Sequence, residues 1–265
     1  MNSEKYPSGT ENKKSIVMIM HYISLAWRSL LFVVLLVLWV GGLVDRKESI
    51  LFRFEKHPVI LTILWLLFAA EMLFRFFPSA IRSPGCQKQF ARNYMKTGRT
   101  DIIIDDNHAT VLVAIVWITL NGIFGALHML GLLDVDFMLL LCSAFSVCDL
   151  ICILFFCPFQ TWFFKNRCCV TCRIYNWDFA MMFTPLFFVE KTYTWSLLVL
   201  SIALLIRWEI TFYRHPERFS EHTNAYLKCS NCSEKLCAHK KQLHRLWKQI
   251  EEYSEKKLKQ LEINK

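Results

Sequence analysis

Two cysteine pairs carry metal-ligand spacing: Cys169-x-x-Cys172 and Cys229-x-x-Cys232. Such a pair offers two thiolates to one ion, and two pairs complete a tetrahedral site. Spare ligands lie beside both: Cys157 and Cys168 near the first pair, Cys237 and His239 near the second. The expected cofactor is zinc. An iron–sulfur cluster is the second reading, since it also takes four thiolates. The order Cys229-x2-Cys232-x4-Cys237 reverses the plant-type ferredoxin spacing, so the pattern does not select iron–sulfur.

Other chemistry fits the same residues. Lys165, Arg167 and Arg173 flank Cys168 and Cys169 and would acidify either thiol, which makes a reactive dithiol. Interfacial thiols without any ligand are a plainer reading, and a disulfide is a further one. The total of eleven cysteines is odd, which argues against a fully paired disulfide framework.

The elements that must position these thiols are membrane helices. The chain has 265 residues, 54% of them hydrophobic, and its mean hydropathy is positive. The apolar residues bunch into runs of about twenty, the length that crosses a bilayer. Six segments follow: Trp27–Val44, Pro58–Phe77, Ala109–Leu133, Phe137–Phe156, Ile174–Val189 and Tyr193–Phe212. The expected fold is therefore an all-α polytopic membrane protein with about six spans. Segment five is the weakest, with Asp178 and Pro185 inside it. As a helix it reaches only about 24 Å against roughly 30 Å of hydrocarbon, so it either crosses short or re-enters.

With the N-terminus in the cytosol, fourteen Lys and Arg residues near span ends lie inside, from Lys5 to Lys228. Only Arg46, Lys47, Arg53, Lys56 and Lys191 lie outside. That bias predicts six crossings with both termini cytosolic, and the plasma membrane is the expected residence. It also explains the net charge of +9 without nucleic acid, because basic loops face anionic headgroups. The polar N-terminus and the long first segment, without a cleavage site, do not read as a secretory signal.

Given that topology, segments five and six form a hairpin open toward the cytosol. The two cysteine patches then sit at its two ends and can converge, since packed helices lie about 8–10 Å apart. Cys142, Cys148 and Cys152 in segment four read as small packing residues. Within the spans lie Glu71, Arg75, Asp149, Asp178, Arg207 and Glu209. An unpaired charge at the bilayer centre costs about 2.5–3.5 kcal/mol on insertion. The six are expected in the cytosolic half, either as one polar network lining a cavity below the thiols or as local staples. Glu71 and Arg75 are four apart and can pair on one helical face. Arg28 can snorkel to the headgroups. His21 and His128 fall near opposite membrane faces, which excludes a shared haem.

The segment RHPERF, Arg214–Phe219, resembles over about three residues the Arg-His-Pro segment of integral-membrane methyltransferases of the isoprenylcysteine type. The resemblance implies methyl transfer. That family continues with membrane-associated sequence, whereas here a cysteine-rich polar tail follows. In the tail, Leu243, Leu246, Trp247, Ile250, Tyr253, Leu258 and Leu261 recur at helical spacing. This amphipathic helix would lie on the inner leaflet, self-associate, or dock a protein partner.

The expected organisation is a polar N-terminus over residues 1–15 and a membrane domain over 16–213. A Cys-rich segment over 214–239 packs on the 157–178 loop, and the amphipathic helix fills 240–265. The expected function is a membrane protein with a Cys-ligated metal or dithiol centre at the cytosolic face, transferring electrons or sensing oxidants. The alternatives are a zinc-stapled scaffold with a partner-binding tail, and a solute or ion transporter using intramembrane carboxylates. No catalytic triad, phosphate loop or nucleotide fingerprint is present in the sequence.

Overall fold

The computed structural model describes residues 16–45, 49–78, 86–102, 107–164 and 171–231. The described residues are helical, without a strand among them. The helices are α1 (Ile16–Asp45), α2 (Ile50–Lys56), α3 (Pro58–Phe76), α4 (Asn107–Met129), α5 (Val135–Leu154), α6 (Asp178–Phe183) and α7 (Thr192–Arg214). Five of them, α1, α3, α4, α5 and α7, are long and apolar enough to cross a membrane. Their outer faces carry exposed Val37, Ile63, Ile118 and Val199, which suits lipid rather than water. Helix α1 begins at Ile16, well before the expected Trp27, because the amphipathic lead-in continues the same helical turn without a breaker.

The ends of the helices follow from local chemistry. Gly131 adopts a left-handed conformation (φ 74°) just past α4. The Leu132 N–H reaches the Leu127 carbonyl at 3.0 Å, and the Gly131 N–H reaches that of His128 at 2.9 Å. This glycine cap closes α4. Three residues on, the Asp134 carboxylate accepts the Phe137 N–H at 2.8 Å and starts α5. The tight α4–α5 hairpin is thus written in a few residues. Asp136 serves the next element: it accepts the Ile50 N–H at 2.8 Å and the Ser49 hydroxyl at 2.7 Å, at the start of α2.

Two ends of the bundle can be told apart by contacts. At the end bearing Ile16 (proximal), Met18 packs with Leu150, Ile153 and Leu154, so α1 and α5 run antiparallel. At the distal end Lys191 pairs with Glu55 at 2.6 Å, and the Tyr193 hydroxyl donates to Glu55 at 3.3 Å. The chain therefore traverses the bundle between Trp177, near the proximal end, and Lys191, at the distal end. This is the fifth traverse, and it is short. Pro185 has no N–H to continue the α-helix. The chain accordingly changes from six α-helical residues to five 3₁₀ residues at Thr184. The 3₁₀ geometry rises further per residue, and the two pieces together reach about 19 Å. The expected helical start at Ile174 is instead a turn, with the Tyr175 N–H bonded to the Cys172 carbonyl at 3.1 Å.

The proximal end is closed by three strips of chain. Residues 86–102 pair with 215–231 through the Lys96–Asn224 bridge and the Ala225 N–H to Met95 carbonyl bond at 2.7 Å. Asn224 is fully buried and its amide donates to the carbonyls of Lys88 and Arg218. The Asn176 amide donates to Gln89 at 2.8 Å and ties in the strip leading to α6.

Two predictions test this packing. A Cβ on Gly125 of α4 would overlap the Phe188 ring of the 3₁₀ turn. Gly125→Ala should cost about 1–3 kcal/mol in unfolding free energy, and Phe188→Leu in the same chain should recover part of it. At the distal end, the hydrogen bond from Lys191 holds the Glu55 carboxyl below its ordinary value. A lowered folded pKa stabilises above the ordinary carboxylate range and is lost as pH falls through the folded value. The melting-temperature gap between wild type and Glu55→Gln should be present at pH 7 and close under acid.

Candidate functional site: a charged core beneath a thiol-lined cavity

Helix α1 carries one polar stripe, His21, Ser24 and Arg28, at positions i, i+3 and i+7. That spacing puts all three on one helical face, and the face turns inward: His21 is 2% exposed and Arg28 is 3% exposed. Arg28 does not snorkel. Its guanidinium pairs with Glu71 of α3 and stands 3.9 Å from Asp149 of α5. It also donates to the Ser146 carbonyl at 3.2 Å. The rings of Trp27, Phe68 and Phe179 surround it at 5.5–5.8 Å. Such rings favour a cation electrostatically and exclude water. The Ser24 hydroxyl donates to the other Glu71 oxygen at 3.3 Å.

One helical turn nearer the proximal end, Arg75 of α3 pairs with Asp178 at the first turn of α6, at 2.5 Å. Phe179 lies under that guanidinium too, at 4.8 Å. Glu71 and Arg75, expected as a local pair, each reach across to another element. Asp149 lies within electrostatic range of Asp178, Arg28, Arg75 and Glu71. The five groups form one core of three carboxyls and two guanidinia. His21 borders it near both arginines, and its Nε2 has no hydrogen-bond partner among the described residues. Burying charges is tolerable only when they are paired this closely.

Above this core, between α4, α5 and the strip before α6, lies a cavity of about 130 Å³. Four thiols line it: Cys148, Cys152, Cys157 and Cys172. Asp149 and Asp178 line it as well, so the charged core and the thiols share a wall. The Cys152 and Cys157 side chains lie within interaction range of each other. A π-helical turn, Phe159–Phe164, follows Cys157 and aims the Gln160 N–H at its sulfur, at 3.4 Å. Cys148 and Cys152 are therefore cavity residues, not the plain packing residues expected. Cys142 does pack in the apolar core.

Leu227, two residues before Cys229, packs in the same apolar cluster as Cys172, Ile174 and Tyr175. Cys157 and Cys172 share the cavity. Cys168, Cys169, Cys232, Cys237 and His239 lie outside the described residues, as does the tail helix. Among the described residues no three His, Cys, Asp or Glu side chains are grouped to hold a metal ion.

Glu209 and Arg207 belong elsewhere. Glu209 takes Arg173 through both oxygens and also accepts the Trp177 indole N–H at 2.7 Å. Arg173 rests on the Phe212 ring at 3.7 Å. This pair clamps the strip before α6 to the last turns of α7. Arg207 stands between the rings of Phe76 and Phe90, 5.5 Å from each. The expected network of six charges thus divides, four of them joining Arg28 in the core. Arg28 and His21 are the site residues that the sequence reading missed. The signal was the i, i+3, i+7 polar stripe in an otherwise apolar helix.

No protein-family model, no curated protein and no solved structure matches this chain.

Removing one partner of a buried pair leaves a charge stranded. Arg28→Met should therefore cost about 3–5 kcal/mol, read by thermal or denaturant unfolding in detergent. Adding Glu71→Gln and Asp149→Asn should recover most of that loss. A loss below about 1 kcal/mol, the scale of an exposed pair, would show that Arg28 is solvated.

Proposed function

We propose that the chain is an integral membrane protein whose working part is a dithiol centre, Cys152 and Cys157, at the proximal face. The observation that carries this reading is the closeness of the two thiols, which line one cavity. Cys157 lies just past the end of its span, and an amide hydrogen points at its sulfur. It is the better placed nucleophile. Cys152 sits one step deeper, where it resolves the intermediate.

The chemistry is thiol–disulfide exchange with a disulfide on another molecule. The Cys157 thiolate attacks one partner sulfur and the partner's S–S bond breaks. A mixed disulfide forms and one partner thiolate leaves. Cys152, once deprotonated, then attacks the Cys157 sulfur and releases the second partner thiolate. The partner disulfide becomes two thiols, and Cys152–Cys157 becomes a disulfide. The two protons lost by the pair end on the two partner thiols. Asp149, on the same cavity wall, is placed to relay the proton from Cys152.

The excess of Lys and Arg at the proximal end supports placing it, with both termini, in the cytosol of a cell whose plasma membrane holds the protein. Reduced thiols are the resting state in that compartment. The metal form of the reading uses Cys172 with Cys169, Cys229 and Cys232, and zinc or an iron–sulfur cluster as cofactor. What favours it is the packing of Leu227, two residues before Cys229, in the apolar cluster of Cys172.

Treatment of the purified protein with oxidised glutathione, then digestion and mass spectrometry, should yield a peptide pair joined through Cys152 and Cys157. Cys157→Ser should abolish both the mixed disulfide and the internal one, and Cys152→Ser should trap the mixed disulfide. Two thiols that stay separately alkylatable after oxidation would defeat the proposal. One equivalent of zinc per chain, lost in Cys172→Ser, would move the function to the metal form.

A further inference from the structure

A second cavity opens at the proximal end, lined by none of the thiols. It lies where α3 ends and the last turns of α7 meet the closing strips. Its charged residues are Arg92, Arg207 and Arg218, each from a different element. Phe90, Trp208 and Thr211 supply the remaining walls that matter here. The cavity volume is about 330 Å³, at the lower end of the range of small-molecule sites.

Three features define its chemistry. Among the described residues no carboxylate lines the cavity, and none of the three arginines has an ion-pair partner. Gathering three guanidinia without a counter-charge costs free energy that an anion recovers. Second, Trp208 is 3% exposed, and its indole N–H is buried with no acceptor among the described residues. An oxygen bound in the cavity would satisfy it. Third, Arg207 is held in place by the flanking rings of Phe76 and Phe90, and Phe90 is itself packed at 5.1 Å from the Trp208 ring. Its position is therefore set before any ligand arrives.

Depth selects the ligand. Arg207 is seven residues before the end of α7, about 10 Å along the helix axis. Arg92 and Arg218 lie on the short 3₁₀ turns beyond the span. The three guanidinia thus bracket the headgroup layer. Guanidinium groups bind phosphate oxygens with two parallel bonds each, and several can share one tetrahedral group.

We propose that this cavity binds a phosphate group at the proximal membrane surface. The same chemistry is offered by the headgroup of an anionic phospholipid and by a soluble phosphate. The test separates them. Delipidated full-length protein in detergent is titrated with short-chain phosphatidylglycerol, with phosphatidylcholine, and with inorganic phosphate, and bound species are counted by native mass spectrometry. One saturable phosphatidylglycerol per chain is expected, with phosphatidylcholine binding more weakly. Arg207→Gln and Arg218→Gln should each weaken that binding about tenfold. Arg92→Gln, on an exposed turn, gives the same readout in a variant whose fold is not at risk, and its melting temperature is measured alongside. Saturable binding of inorganic phosphate that displaces phosphatidylglycerol, and that the same variants weaken, would support the site with a soluble ligand. Equal affinity of wild type and all three variants for every probe would overturn the proposal.

Discussion

A guanidinium that cannot reach water must be neutralised where it stands, and the whole bundle is arranged around one that cannot. Arg28 sits on the inner face of α1 with Glu71 from α3 and Asp149 from α5. Phe179 of α6 packs against it, and Arg75 and Asp178 repeat the arrangement one turn away. Each pair joins different elements, so the charges fix which helices are neighbours and in which register. Apolar packing alone does this poorly in lipid, where tails compete on equal terms with Leu and Val. The aromatic rings around Arg28 complete the same design by keeping water out and offering their faces to the cation.

The core also explains why the fifth traverse is short. Asp178 must meet Arg75 near the proximal end, and Pro185 prevents the α-helix from continuing. The chain makes up part of the missing length by stretching into 3₁₀ turns. The rest is supplied at the proximal side, where residues 171–177 fold as turns pinned by the Arg173–Glu209 and Asn176–Gln89 contacts. That arrangement leaves room between α4 and α5, and the thiol cavity occupies it. Asp149 and Asp178 belong to both features. The position of the thiols and the pairing of the charges are therefore one structural fact.

Much of the fold was legible in the sequence. Runs of apolar residues marked the membrane helices, because hydrocarbon demands an unbroken apolar surface. The weakness of segment five was visible in Asp178 and Pro185. Of the two cysteine patches expected to converge at the hairpin they bracket, only part lies within the described residues, where Leu227 packs in the cluster of Cys172. Less was legible in the site. A polar residue near the end of an apolar run reads equally well as snorkelling or as buried, and only the partner helices decide. Arg28 went to the interior because two carboxylates wait there. Partner choice was hidden for the same reason: Glu71 and Arg75 are four apart on α3, yet each bonds to another element. Cys148 and Cys152 looked like packing residues because nothing in their spacing announces the cavity, which is created by a distant strip of chain.

The arrangement of the bundle requires Arg28 to be enclosed. Hydrogen exchange of its guanidinium, followed by ¹⁵N NMR on arginine-labelled protein and assigned by loss of the signal in Arg28→Lys, reads this directly. An enclosed and paired side chain should show resolved Nη–H signals that exchange far more slowly than those of Arg92 on its exposed turn. Exchange as fast as that of Arg92 would place Arg28 in water and contradict the arrangement described.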